Sequence, residues 1–170
     1  MISPDHVRML AAYNRWMNER LYAVCATIDD AERKQDRGAF FGSLHGTLNH
    51  LLDGDLAWLA RFRGDTVDQR LGEDRHADFD QLTTARQATD EAIEQWAATV
   101  SPDWLAAPMT YTSNVDGLTR RLSASVLVTH FFNHQTHHRG QITTLLSQMG
   151  VDYGVTDLPW LPALDAVIDA

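Results

Sequence analysis

The sequence predicts an all-α fold: a four-helix bundle with a long crossover connection, a small hairpin-like loop before the last helix and a C-terminal tail packed on the bundle. Three observations predict it. Four long segments repeat apolar residues at spacings of three and four, the signature of a helix with one buried face. The chain has 170 residues, enough for a single domain over 1–170 with a full core. Apolar residues make up 44%, an ordinary globular share.

The first segment runs from about Pro4 to Ile28, with Ser3 as N-cap and Pro4 at the first helical position. Its stripe is Val7, Leu10, Asn14, Met17, Leu21, Val24 and Ile28, with Asn14 the one polar member. The second runs from about Ser43 to Phe62 and closes at Arg63-Gly64-Asp65, where Gly64 suits a left-handed cap. Residues 65–77 are polar and acidic and form the long connection. The third runs from about Phe79 to Val100, capped by Asp78 with Gln81 at capping-box spacing. Arg86 and Thr89 interrupt its apolar stripe, the weakest of the four. Met109–Thr112 and Leu118–Arg120 read as two short strands around a turn at Asn114-Val115-Asp116-Gly117. The fourth helix runs from about Ser123 to Met149, with Gly150 after it. Pro159 and Pro162 keep the tail from forming a regular helix, and its apolar residues are expected to pack back on the bundle.

Composition excludes several function classes. The formal charge is −9 with no run of lysine or arginine, which argues against gripping nucleic acid or an anionic membrane. No apolar stretch approaches the ~20 residues that span a bilayer. No apolar leader begins the chain, so the expected location is the cytoplasm. Cys25 is the only cysteine. It lies beside the apolar stripe of the first helix and reads as a small core residue rather than a nucleophile.

Histidine is the unusual residue. There are eight, four of them between 130 and 138. On a helix His134 and His138 stand ~40° apart in direction and ~6 Å apart in height, so two imidazoles can grip one ion. Leu127, Phe131, Ile142, Leu145 and Met149 project on the same side, which aims the pair at the interior. Burying two imidazoles is costly unless both are hydrogen-bonded or ligating. His130 and His137 lie nearer the edge of that face. His130 and His138 are also ~12 Å apart along the axis, too far to share an ion easily. The second helix offers His45, His50, Asp53 and Asp55 for a third ligand, and periodicity does not choose between them. Small residues flank His50 on its stripe (Gly46, Gly54 and Ala57 among them), leaving room for another helix or a ligand. His45 and His76 read as surface or rim histidines.

Three segments together carry a resemblance. They are Tyr13-Asn14-x-Trp16-x-Asn18-x-x-Leu21, Leu48-Asn49-His50-Leu51-Leu52 with Trp58-Leu59, and Asn133-His134-Gln135-Thr136-His137-His138-Arg139-Gly140-Gln141. In these the chain resembles the DinB family of metal-binding bundle proteins over almost its whole length. The resemblance implies that His50, His134 and His138 bind a divalent metal, that His130 and His137 do not, and that the protein is a homodimer.

Three neutral imidazoles leave an ion its positive charge and an open position, the arrangement of a catalytic site. Zn, Ni, Fe and Mn all suit such ligands. Because the wider family includes thiol-dependent transferases, the resemblance implies an enzyme that activates a low-molecular-weight thiol, such as bacillithiol or mycothiol, for S-transfer to an electrophilic small-molecule substrate. The alternatives are a hydrolase using activated water, or a non-catalytic, stress-linked protein with a structural metal. Asp53 is the acidic candidate for a general base, against an ordinary solvated carboxylate. Arg139 is either an anchor for an anionic group or a surface ion pair. Asn14 either orients a ligand or fixes the register of the helical seam. Gln141 projects close to His134, Gly140 permits close helix packing, and Trp160 either caps the core or lines a pocket mouth.

Overall fold

A computed structural model of the chain describes residues 2–67, 75–113 and 116–164. It is mostly helical. The four long helices are α1 (Pro4–Ala26), α3 (Leu44–Arg63), α4 (Phe79–Thr99) and α6 (Ala124–Gln148), and the short ones α2 (Asp30–Lys34) and α5 (Pro102–Ala106). Strands β1 (Pro108–Thr112) and β2 (Thr119–Ser123) pair antiparallel, with Pro108 opposite Ser123 and Thr112 opposite Thr119.

Local chemistry sets the boundaries. Backbone N–H groups that would be orphaned at three helix starts donate to Ser3, Ser43 and Asp78, from His6 (3.2 Å), Gly46 (3.0 Å) and Gln81 (2.9 Å). Gly64 ends α3 at φ 77° and Gly150 follows α6 at φ 71°, the left-handed conformation that closes both helices. At the turn between the strands, Asn114 and Val115 lie outside the described residues, and Gly117 has φ 69°.

α1 packs most on α4, and α3 on both α6 and α4, while α1 also touches α6. The core comes in two pieces. One holds Val7 and Ala11 of α1, Trp58 and Phe62 of α3, Ile93 and Trp96 of α4, and Leu127 and Phe131 of α6. The other holds Met17 and Leu21, Leu48 and Leu52, Phe79 and Leu82, and Ile142 and Leu145 from the same helices in the same order. The order in which each helix visits the two clusters gives its direction: α1 and α6 run one way, α3 and α4 the other. The connection between α3 and α4 must therefore return along the length of α3, about 30 Å for 20 residues. Its far end does so. Arg75 is ion-paired with Asp53, and His76 is pinned to α3 by its N–H donating to Asn49 Oδ1 at 2.9 Å while its carbonyl accepts from Asn49 Nδ2 at 3.1 Å. Residues 68–74 of this connection lie outside the described residues.

A polar layer lies between the two apolar clusters on every long helix. Asn14 and Asn18 donate to Asp90 at 3.1 and 3.0 Å, and Arg86 lies 2.9 Å from the same carboxylate. Arg86 also donates to Asp55 at 2.6 Å, Gln135 donates to Asp55 at 2.9 Å, and Arg139 donates to Asn14 Oδ1. All seven side chains are buried. Two arginines face two aspartates, so the layer is balanced in charge. This explains why Arg86 breaks the stripe of α4, while the buried Thr89 satisfies its hydroxyl on the Ala85 carbonyl of its own helix. It also turns α1 relative to the stripe expected from periodicity. Ala11, Asn18, Tyr22 and Cys25 are buried, while Leu10, Val24 and Ile28 are only half-buried.

The tail returns to the helices. Tyr13 Oη donates to the Thr156 carbonyl, and Val151 and Tyr153 pack against the second cluster. Leu161 is buried, whereas Trp160 is 59% exposed and caps nothing. No helix among the described residues is long and apolar enough to cross a membrane.

Candidate metal centre

At the level of the polar layer, α3 presents His50 and α6 presents His134 and His138 one turn apart. Their Nε2 atoms converge: His138 Nε2 lies 3.2 Å from that of His50 and 3.0 Å from that of His134. Among the described residues, this is the group of three side chains whose ligand atoms come close enough to hold one ion. Two nitrogens each at 2.0–2.1 Å from a common ion stand about 2.9 Å apart at a right angle and about 3.4 Å apart at the tetrahedral angle. The two separations at His138 fall between these values, and the ligand atoms of all three rings lie within 4.8 Å of one another, close enough to hold one divalent ion.

The surroundings aim the rings. His138 Nδ1 donates to Gln141 Oε1 at 2.7 Å, which puts the ring proton on Nδ1 and leaves the Nε2 lone pair facing its neighbours. His134 Nδ1 is buried with no hydrogen-bond partner among the described residues, so packing places this ring. The packing surface is Gly54, where an added Cβ would stand 2.7 Å from His134 Cε1. Of the small residues beside His50, Gly54 thus makes room for a histidine of the neighbouring helix. His50 is stacked on Phe41, centroids 3.7 Å apart and planes at 18°, and Phe41 also meets the edge of His138 at 5.5 Å.

Electrostatics keep the three imidazoles unprotonated. Burial pushes His134 down to about 3, with His138, His50, His130 and His137 adding repulsion. Burial, then His138, pushes His50 down to about 4, and burial also lowers His138. Three unprotonated imidazoles with their lone pairs facing one point attract a cation there.

The profile of the DinB family matches residues 3–167. The chain belongs to the DinB family. It is 27% identical over 163 residues to Protein DinB of Bacillus subtilis (strain 168), covering 90% of this chain and 91% of that one. Its fold is shared with a crystal structure of a DinB-like protein from Bacillus cereus ATCC 10987, at TM-score 0.62 and 16% identity, covering 82% of this chain and 89% of that one.

The other candidates of this DinB-family chain fall in different places. His130 and His137 are exposed at the edge of the site, as their position on the helix wheel predicts. His45 is not a rim residue. It is fully buried, its Nε2 2.8 Å from the His76 carbonyl, because it faces the returning connection rather than solvent. Asp53 is buried against Arg75, so its carboxylate is already engaged by a guanidinium. Arg139 is buried rather than on the surface and points away to Asn14, with Tyr13 below its guanidinium at 5.3 Å. Gln141 serves His138 rather than His134. Gly140 is not a packing glycine: an added Cβ there would meet nothing within 4 Å. Cys25 is fully buried, and burial pushes its thiol up to about 12, as befits a core residue. Sequence reasoning missed Phe41, which has no periodic element to announce it. Asp55, offered by the sequence as a possible third ligand, is instead committed to the polar layer, where it accepts from Arg86 and Gln135.

Proposed function

We propose that this protein is a metal-dependent enzyme that activates a low-molecular-weight thiol for S-transfer to a small electrophile. The observation that carries the reading is the convergence of three neutral imidazoles, with His138 Nε2 at 3.0 Å from that of His134 and 3.2 Å from that of His50. Three protein ligands leave coordination positions for another molecule, whereas a closed structural site uses four. A divalent ion of Zn, Ni, Fe or Mn held there supplies Lewis acidity that lowers the pKa of a thiol.

The chain's own residues do the rest. His50, His134 and His138 hold the ion, Gln141 fixes the tautomer of His138, Gly54 seats His134, and Phe41 walls the site. Cys25 is no substitute for the external thiol, being inaccessible and protonated. In the reaction the thiol sulfur forms a bond to the electrophilic carbon, the leaving group departs with the bonding pair, and the thiol proton goes to solvent. The frame is a four-helix bundle with its crossover between α3 and α4. Exposed Leu118, Leu122 and Val126, around β2 and the start of α6, support a homodimer. Hydrolysis by activated water is the second reading. It is disfavoured because Asp53, the acidic candidate for a general base, is tied to Arg75.

The test is a panel of bacillithiol, mycothiol and glutathione, each mixed with monochlorobimane and the metal-loaded protein. The reading expects one thiol to conjugate faster with protein than without, and the gain to vanish in His134→Ala. No acceleration with any thiol contradicts S-transfer.

A further inference from the structure

A groove of about 410 Å³ opens beside the metal centre, between the turn before α3 and the outer face of α6. Arg37, Phe40, His137, Gly140, Gln141 and Leu145 line it. Gln141 joins it to the site through its hydrogen bond with His138. Three features point to a ligand. The first is Gly140. A glycine inside a helix costs about 1 kcal/mol relative to alanine, and here no neighbour would obstruct a Cβ, so packing does not explain it. What Gly140 does is keep the floor of the groove clear. The second is Phe40, which is 86% exposed, its ring resting edge-on against Phe41 at 4.9 Å and offering a free aromatic face. The third is charge. In a chain of net charge −9 no carboxylate lines this groove, while Arg37 does. Among the described residues Arg37 pairs with the exposed Glu32, at 2.5 Å, and its Nε is buried without a hydrogen-bond partner. Glu32 is 56% exposed, so water competes for its side of the pair and a ligand carboxylate can share the half-buried guanidinium.

We propose that this groove binds a small carboxylate-bearing organic molecule, its apolar body over Gly140 against Phe40 and Leu145 and its carboxylate on Arg37. The proposal builds on the metal-centre reading, because it places the non-reacting part of the substrate or thiol beside the site. Its own test does not depend on metal.

Phenylacetate and phenylacetamide, alike in shape and different in charge, are titrated into the metal-loaded protein and into chelator-treated protein, following backbone amide signals of residues 137–148. Phenylacetate is expected to give saturable shifts of similar midpoint in both preparations. Phenylacetamide and the variant Arg37→Gln are expected to weaken binding about fivefold, the worth of an exposed ion pair. Gly140→Leu, which favours the helix and touches no metal ligand, is expected to abolish binding while metal content stays unchanged. Absence of saturable shifts at millimolar phenylacetate overturns the proposal. So does binding that requires the metal and survives Gly140→Leu, which would put the carboxylate on the ion. Equal binding of phenylacetamide overturns the anionic class. A change of molecular mass in Gly140→Leu would give the groove to a second copy of the chain and overturn the proposal too. Failure of the metal reading shows separately, as protein without stoichiometric metal.

Discussion

His134 illustrates how one residue's surroundings decide its chemistry. Burial pushes its pKa to about 3 and that of His50 to about 4, against an ordinary value near 6.5. In the metal-free protein this has a definite sign. As pH falls below about 6.5 the unfolded chain takes up protons at these positions, while the folded site refuses them until about 4 and about 3. The unfolded state then binds more protons, and stability falls with pH across that window. The Tm of chelator-treated protein is expected to drop between pH 7 and pH 4.5, and His134→Gln should flatten the drop. A Tm independent of pH in both proteins would mean that the imidazoles are not buried as described. At this scale the sequence was informative about His134 and His138, because spacing four on an apolar face is a geometric statement. It left His50 level with its helix neighbours, since periodicity places a side chain on a face without saying what lies opposite. His45 shows the limit. Read by itself it belongs at the rim, and only the returning connection buries it.

Between elements, the contact of α3 with α6 assembles the site, and Gly54 sets its closeness. Alanine there favours the helix by about 1 kcal/mol, yet its Cβ would stand 2.7 Å from the His134 ring. Gly54→Ala is therefore expected to keep or raise thermal stability while weakening metal binding at least about tenfold, the size of effect seen when a ligand's supporting contacts are lost. Competition titration against a chelator, beside a melting curve, checks both halves. Unchanged metal affinity would show that His134 can leave Gly54 and still ligate. The long helices were legible because they begin and end on local chemistry: Ser3, Ser43, Asp78, Gly64 and Gly150 cap them without help from tertiary structure. The five-residue helices α2 and α5 were not, because one turn and a half shows no period. The loop carrying Phe41 escaped for the same reason.

Across the whole molecule, the polar layer divides the core and joins all four long helices at the height of the histidines. Two of its members read in sequence as blemishes on otherwise apolar stripes: Asn14 in α1 and Arg86 in α4. Each looks like a local exception, and only packing shows that they meet. Asp55 holds the layer's centre, accepting from Arg86 and Gln135. Breaking a buried ion pair from one side leaves the other charge uncompensated and costs about 3–5 kcal/mol. Asp55→Ala is expected to lose that much in urea unfolding, and Asp55→Asn, which keeps an acceptor, less. A loss below about 1 kcal/mol, the scale of an exposed pair, would contradict the burial of the layer. The layer also accounts for the site's place in the molecule. Gln135 and Arg139 alternate with His134 and His138 on α6, so the helix turn that sends two side chains into the layer sends the two histidines toward α3.

The most direct test is elemental analysis of the purified protein beside its single-histidine variants. One equivalent of a divalent transition metal per chain is expected, lost in His50→Ala, His134→Ala and His138→Ala and retained in His130→Ala and His137→Ala. Protein without stoichiometric metal after loading, or metal content unchanged in His50→Ala and His134→Ala, would contradict the three-histidine centre.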